Sequence, residues 1–122
     1  MAMIFDVRED PRFYCFGSGV SMRNGIDALY ALIKTKSDLD VFNGDVFVFI
    51  GSNLKSIKVL QWNRNGFLLY YKRLEIGRFS LLSSNGENEF IELKSPELRK
   101  IINRVRQRSV MTELKQRAIT NI

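Results

Sequence analysis

The sequence contains no histidine and a single cysteine, Cys15, among 122 residues. Without histidine the chain lacks the side chain that most often serves as a general base or a zinc ligand, and one cysteine excludes an intrachain disulfide. Cys15 lies in an apolar and aromatic run, so we expect it to fill a core rather than to act as a nucleophile. Phosphate-binding loops and Gly-x-Gly-x-x-Gly motifs are also missing. We therefore expect no metal and no other cofactor.

Long apolar runs are absent as well. No stretch approaches the roughly 18 apolar residues that a membrane-spanning helix needs. The N-terminal residues 1–6 have neither a basic region nor a long apolar stretch, so they do not resemble a signal peptide. We expect a cytoplasmic protein without membrane contact.

The length and composition suit one globular domain. Apolar residues make up 45% of the chain and charged residues 26%, as in ordinary soluble proteins. We predict a single α+β domain over residues 1–108, followed by a C-terminal tail over 109–122 that is either a helical extension or disordered.

Charge is unevenly distributed. From residue 94 onward there are eight cations and two anions, so this segment carries the whole net charge of +6. A neutral body with a basic C-terminal segment suits an acidic partner, most commonly nucleic acid. The alternative is a solvated helix whose charge serves only solubility.

Three short runs between Gly44 and Arg73 are rich in β-branched and aromatic residues. Breaks at 51–53 and 63–66 separate them, and Asn65-Gly66 is the strongest hairpin signal in the chain. The pattern predicts a three-stranded antiparallel meander.

Further elements flank the meander. Residues 12–16 resemble a first strand. Ser21 is a candidate N-cap for a helix that runs to about Lys34, with Gly25 inside it at a cost of about 1 kcal/mol relative to alanine. Its buried face is predicted from apolar spacing and comprises Met22, Ile26, Leu29, Tyr30 and Ile33.

The C-terminal part predicts one more strand and one more helix. Residues 90–93 form a short apolar run, and Ser95-Pro96-Glu97 is typical of a helix start with serine at the N-cap. The predicted fold is therefore α+β: an antiparallel sheet of about five strands, one packed helix and a basic C-terminal helix. Because one helix cannot cover both faces of an apolar sheet, either the C-terminal helix or a partner protein covers the second face.

Cations and aromatic side chains alternate in the meander. Such a surface can stack bases and bind phosphates, although Trp62 and the tyrosines lie among apolar residues and are better explained as core. Lysine and arginine are buried less easily and are the better candidates for DNA contact. The candidate nucleic-acid-binding residues of the chain are Arg23, Lys55, Lys58, Lys72, Arg73, Arg78, Arg99, Lys100, Arg104, Arg106 and Arg108.

A metal-dependent nuclease is the catalytic alternative. Asp45 opens a strand, and Glu92-Leu93-Lys94 has the Glu-x-Lys form in which an acid binds a metal and a lysine orients water. This form is short enough to occur by chance, and Asp45 beside a glycine is also an ordinary turn residue. We therefore favour a binding protein over an enzyme.

Four blocks in the middle of the chain resemble a known family. They are Ser-Met-Arg-Asn-Gly-Ile-Asp-Ala-Leu (21–29), Asn-Gly-Asp-Val-Phe-Val-Phe-Ile (43–50), Ile-Lys-Val-Leu-Gln-Trp (57–62) and Gly-Phe-Leu-Leu-Tyr-Tyr-Lys-Arg-Leu-Glu-Ile-Gly-Arg-Phe (66–79). The sequence is similar here to the small TnpB-type accessory protein, the product of the second open reading frame in the insertion-sequence sixty-six transposon family. The resemblance covers roughly residues 13–105.

The resemblance implies a bacterial mobile-element protein, encoded beside a large transposase and needed for efficient transposition. Two positions depart from the family pattern: Asn24 stands where a basic residue is usual, and loop 51–56 carries one cation instead of several arginines. We expect a non-catalytic accessory factor that binds DNA, the transposase or both. A protein–protein adaptor without DNA contact is the alternative, and DNA strandedness and oligomeric state stay open.

Overall fold

A computed structural model describes residues 10–81 and 89–103 of the chain. The predicted tail over 109–122 and the candidate residues Arg104, Arg106 and Arg108 lie outside the described residues. The described elements, in chain order, are β1 (Phe13–Phe16), α1 (Ile26–Lys36), a short 3-10 helix (Val41–Asn43), β2 (Val46–Ile50), β3 (Ser56–Asn63), β4 (Gly66–Arg73), β5 (Phe90–Leu93) and α2 (Ser95–Asn103).

The five strands form one sheet in the order β4-β3-β2-β1-β5. The meander of β2, β3 and β4 is antiparallel, as predicted, and β5 pairs antiparallel with β1. The prediction of an antiparallel sheet is wrong for β1 and β2, which pair in parallel. Helix α1 connects these two neighbouring strands, and a crossover of this kind returns the chain in the direction of the first strand. The protein is therefore α+β with a mixed sheet.

The hairpin between β3 and β4 is confirmed, but its loop is not Asn65-Gly66. Gly66 is the first residue of β4 and pairs with Asn63, so Arg64 and Asn65 form the loop. Arg64 takes the positive φ of 56°, and Asn65 N–H donates to Asn63 O at 2.6 Å in a γ-turn. This register places the rings of Trp62 and Phe67 opposite each other with centroids 5.0 Å apart. Side-chain packing of this kind fixes strand register.

Helix α1 begins later than predicted. Its N-cap is Gly25, whose backbone is extended, and Ser21 instead accepts a hydrogen bond from Arg23 N–H at 3.2 Å in a local turn. Gly25 therefore lies outside the helix interior, and a Cβ placed there would meet nothing within 4 Å. Neither the predicted helix penalty nor a close backbone approach applies at this position.

Both faces of the sheet are covered. Helix α1 packs on one face and the 3-10 helix extends its coverage, in a core formed by Tyr14, Phe16, Val20, Leu29, Ile33, Val41, Phe47, Phe49 and Leu60. Helix α2 and Phe79 cover the opposite face, in a core formed by Cys15, Val46, Val48, Ile50, Ile57, Val59, Phe79, Leu93, Leu98 and Ile101. Strand β2 is buried along its whole length because both cores include it. Helix α2 therefore covers the second face, for which the sequence allowed either the C-terminal helix or a partner protein.

A second helix is present at Ser95–Asn103, and it begins one residue earlier than predicted, so that Lys94 and not Ser95 precedes it. Lys94 N–H donates to Glu97 Oε1 at 3.0 Å, so Glu97 reaches back to the residue that precedes the helix.

Of the two described α-helices, neither is long and apolar enough to cross a bilayer.

Candidate nucleic-acid interface

Three loop segments meet at one end of the sheet, where β2 and β4 end and β3 begins. The loop before α1 is joined to the β2–β3 loop by two hydrogen bonds: Val20 N–H donates to Ile50 O at 2.9 Å, and Ser52 N–H donates to Val20 O at 2.8 Å. A Cβ on Gly19 would lie 2.8 Å from the Cα of Ser52, which no side chain tolerates without a backbone shift. Glycine at position 19 therefore allows the two loops to touch.

The segment after β4 joins the same end. Leu74 N–H donates to Lys55 O and Phe79 N–H donates to Leu54 O, each at 2.6 Å. Phe79 is buried in the α2-side core, so this segment is tied down by packing as well as by hydrogen bonds. The backbone that carries Arg78 thus lies beside the β2–β3 loop.

Six of the predicted cations lie on the segments that meet at this end of the sheet. The segments 17–25, 49–58 and 71–79 carry one carboxylate, Glu75, and the cations Arg23, Lys55, Lys58, Lys72, Arg73 and Arg78. We call this end of the sheet, with its six cations, the basic end. A concentration of one charge sign on neighbouring loops attracts polyanions over a distance of about one Debye length, roughly 10 Å at 0.1 M salt.

Four cations of the basic end have exposed side chains: Arg23, Lys55, Arg73 and Arg78. Arg73 Nε is 2.9 Å from Glu75 Oε2, and both side chains of this pair are more than half exposed. The bond from Glu75 raises the pKa of Arg73, which is charged at every physiological pH in any case. An exposed pair of this kind contributes little free energy, so Glu75 holds Arg73 only weakly.

Lys58 has a different environment. Its side chain is half-buried, and its Nζ donates to Met22 O at 2.9 Å and to Asn24 O at 2.8 Å. Strand β3 thus holds the two carbonyls on either side of Arg23. Lys58 therefore positions the loop that presents Arg23.

Lys72 makes the corresponding contact on the opposite face of the sheet. Its Nζ donates to the carbonyl oxygen of Ile102 at 2.9 Å, in the last turn of α2. A cation at this position also complements the negative end of the helix dipole. Helix α2 thus ends at the basic end, and its exposed Arg99 and Lys100 precede that point by one turn.

The positioning roles of Lys58 and Lys72 were missed in the sequence. One signal was present: Lys58 shares a strand face with Leu60 and Trp62, so its stem had to lie on an apolar surface. A lysine at such a position extends its ammonium group to the nearest polar partners. Which carbonyls it reaches depends on loops far away in the chain.

At the opposite end of the meander, four aromatic side chains form a cluster. The rings of Phe42 and Trp62 meet edge to face with centroids 5.0 Å apart, and Tyr30 and Phe67 complete the group. Trp62 is half-buried, as a packing residue would be, whereas Phe42 is 50% exposed. We call these four residues the Phe42 patch. It lies about 20 Å from the basic end, since Arg73 is six positions after Phe67 along β4 and a strand rises about 3.3 Å per residue.

The acidic residues of the nuclease alternative lie in ordinary structural positions. Asp45 is 4% exposed, and its Oδ1 accepts a hydrogen bond from Arg12 N–H at 3.0 Å. Glu92 is on edge strand β5, with β1 between it and β2. Within residues 10–81 and 89–103, no group of three or more cysteine, aspartate or glutamate side chains could hold a metal ion.

Comparison with known proteins gives one family and one relative. A family model described as "IS66 Orf2 like protein" matches residues 11–112. An uncharacterized protein, y4jC, from Sinorhizobium fredii (strain NBRC 101917 / NGR234) is 33% identical over 60 residues, which is 49% of this chain and 51% of the relative. The chain thus spans about half the length of this curated relative. No solved structure matches.

Proposed function

The chain belongs to the IS66 Orf2-like family, and we propose that it is a non-catalytic accessory protein of an insertion sequence that binds DNA through its basic end. One observation carries the proposal: the loops and strand ends at one end of the sheet carry six cations and one carboxylate, and four of these cations have exposed side chains. Lysine and arginine that contact phosphates release counterions from DNA, which drives binding without reading sequence.

The end of α2 supports the same surface. Lys72 holds Ile102 at the basic end, and the sequence continues within a few residues into Arg104, Arg106 and Arg108. The proposed interface therefore includes exposed cations of the folded body, the cations Arg99 and Lys100 of α2 and the basic segment that follows.

A pair of charge-matched variants tests this proposal. One variant combines Arg23→Gln, Lys55→Gln and Arg78→Gln at the basic end. The other combines Lys34→Gln, Lys36→Gln and Arg64→Gln, three exposed cations on other parts of the fold. Both lose three positive charges, so a non-specific effect of net charge is the same in each.

Binding to a labelled DNA duplex is measured by fluorescence anisotropy across a salt series. We expect the basic-end variant to bind more weakly and its slope of log affinity against log salt to flatten by up to about 2.7, since each lost phosphate contact removes about 0.9. The control variant should stay close to the parent. Equal losses in both variants would show that only net charge matters, and absence of binding by the parent would remove the proposal.

A catalytic role is tested separately. We expect no nicking of plasmid DNA in magnesium or manganese, because Asp45 is buried and bonded to the backbone of Arg12. Nicking that requires metal and disappears in Glu92→Ala would restore the nuclease alternative.

The Phe42 patch favours a second candidate function, that of an adaptor to the transposase of the same element. A half-exposed phenylalanine within an aromatic cluster is a typical anchor of a protein interface. The test is retention of the chain by immobilised transposase. We expect Phe42→Ala to lose retention while the basic-end variant keeps it, and retention of both would contradict this role of the patch.

A further inference from the structure

Tyr71 stands out within the basic end. Its side chain is 50% exposed, and Phe42 is the other large apolar side chain with this exposure among the described residues. Tyr71 lies on edge strand β4 directly opposite Lys58, and Arg73 follows two residues later on the same face. The side chain of Tyr71 is therefore half exposed to solvent and has cations on neighbouring positions of the sheet.

The ring is held in place from two sides. Its hydroxyl is 3.4 Å from Ser56 Oγ, and the Lys58 ammonium is 5.7 Å from the ring centroid. Lys58 is itself fixed by the carbonyls of Met22 and Asn24. A side chain that is already ordered loses little conformational entropy when a ligand stacks on it.

The arrangement suits one ligand chemistry in particular. A flat aromatic ring beside cations binds a nucleobase by stacking while the cations bind the adjacent phosphates. The base faces in a duplex are covered by their neighbours, so a side chain on a rigid strand reaches them only when the base is unpaired. The edge position of β4 leaves room for a strand of nucleic acid to pass, because no described strand pairs with its outer side.

We propose that Tyr71 stacks against an unpaired base of single-stranded DNA, with Arg73 and Arg23 on the flanking phosphates. This inference rests on the proposed DNA-binding function and adds the form of DNA that is preferred. It predicts that the basic end binds single-stranded DNA in a manner that depends on an aromatic ring at position 71, whereas duplex binding depends on charge alone.

The test compares three variants. Tyr71→Leu removes the aromatic ring but keeps an apolar side chain that suits a strand. Tyr71→Phe keeps the ring and loses only the hydroxyl contact with Ser56. Phe42→Leu is the matched control, since it removes an equally exposed ring at the other end of the meander. The melting temperature of each variant is measured to check that the fold is retained.

Affinities for labelled oligo-dT, for oligo-rU and for a duplex of matched length are measured by anisotropy. We expect Tyr71→Leu to weaken oligo-dT binding about 5- to 30-fold, the lower part of the range for loss of a stacked base. Its salt slope should not change, because no phosphate contact is lost. Tyr71→Phe and Phe42→Leu should bind oligo-dT as the parent does, and the duplex affinity of Tyr71→Leu should be unaltered.

Each other outcome overturns the inference in a recognisable way. Unchanged oligo-dT binding by Tyr71→Leu, with the parent binding DNA, would remove the stacking role and leave the proposed function intact. Equal weakening for oligo-dT and duplex would show that Tyr71 only maintains the basic end. Tighter binding of oligo-rU than of oligo-dT would assign the site to single-stranded RNA. If the parent bound no DNA, the proposed function and the inference would both be refuted.

Discussion

Lys72, on the edge strand β4, donates its ammonium N–H to the carbonyl oxygen of Ile102, 30 positions later in the chain, at 2.9 Å. This contact ties the last turn of α2 to the sheet, in addition to the packing of Leu98 and Ile101 in the core. Because Arg73 follows Lys72 on the opposite face of the strand, the end of the helix and the exposed cations share one edge of the molecule.

Replacing Lys72 should reduce stability more than replacing its neighbour. Lys72→Met keeps the apolar stem but removes the charged hydrogen bond, and we expect a loss of about 1–2 kcal/mol in the free energy of unfolding. Arg73→Met breaks only the exposed pair with Glu75 and should cost below about 1 kcal/mol. Urea unfolding of both variants measures the difference, and equal stabilities would show that the contact with Ile102 contributes nothing.

Removal of the chain after Asn103 should weaken DNA binding without unfolding the body. The truncation removes Arg104, Arg106, Arg108, Lys115 and Arg117, but it leaves the buried Leu98 and Ile101 of α2 in place. We expect the salt slope of duplex binding to flatten by up to about two to four units, about 0.9 for each phosphate contact that is lost. An unchanged affinity and slope would make the C-terminal segment irrelevant to DNA binding.

Two glycines make a matched pair for testing the contact between loops. Gly19→Ala places a methyl group 2.8 Å from Ser52 Cα and should cost about 1–3 kcal/mol through a backbone shift. Gly25→Ala meets no atom within 4 Å, so we expect only the cost of replacing glycine by alanine at an N-cap, at most about 1 kcal/mol. Urea unfolding gives both values. A Gly19→Ala variant as stable as Gly25→Ala would mean that the two loops do not touch.

Truncation of Trp62 should destabilise the fold. The side chain is half-buried between Phe42 and Phe67, so we expect Trp62→Ala to cost about 2–3 kcal/mol, less than a fully buried tryptophan. Phe42→Ala should cost less because the ring is half exposed, and the double variant should reveal a coupling of about 0.5–1.5 kcal/mol. A melting temperature equal to that of the parent would show that Trp62 is not a packing residue.

Cys15 should be unreactive in the folded protein. Burial raises the pKa of its thiol from 9.0 to about 12, because the thiolate cannot be solvated. Alkylation by iodoacetamide at about pH 8 should be slow until denaturant is added, whereas an added thiol in an exposed Ser80→Cys variant should react at once. The folded chain binds the thiol proton more tightly than the unfolded chain does. The contribution of Cys15 to the free energy of unfolding is therefore fully present below pH 9 and is lost as the pH rises from 9 towards 12. Fast alkylation of the native chain would contradict this burial.

Local sequence patterns were enough to predict most elements. The runs 56–63 and 66–73 are rich in β-branched and aromatic residues and are bounded by turn residues. This signal depends only on neighbours in the chain, so β3, β4 and their hairpin were predicted correctly. The start of α1 was not, because Ser21 is a good N-cap by type while its hydroxyl is used in a turn with Arg23. A cap residue alone does not fix the start of a helix.

Features that depend on distant parts of the chain were not predicted. The parallel pairing of Phe13 with Val46 follows from where α1 packs, and the sequence does not state that directly. The same applies to the candidate site. The sequence identifies the six lysine and arginine residues as candidates. That they share one end of the sheet depends on the contact of Gly19 with Ser52 and on the packing of Phe79 beside Leu54.

Strand β1 forms both of its ladders with strands that come later in the chain: β2, beyond a helix, and β5, close to the end of the described residues. Loop closure over such separations is slow, whereas the meander needs only short loops. We therefore expect the meander to form during synthesis before β5 is available to pair with β1, where Ile91 is the partner of Cys15. We expect the newly made chain to expose an unpaired edge on β1 until β5 pairs with it, late in folding.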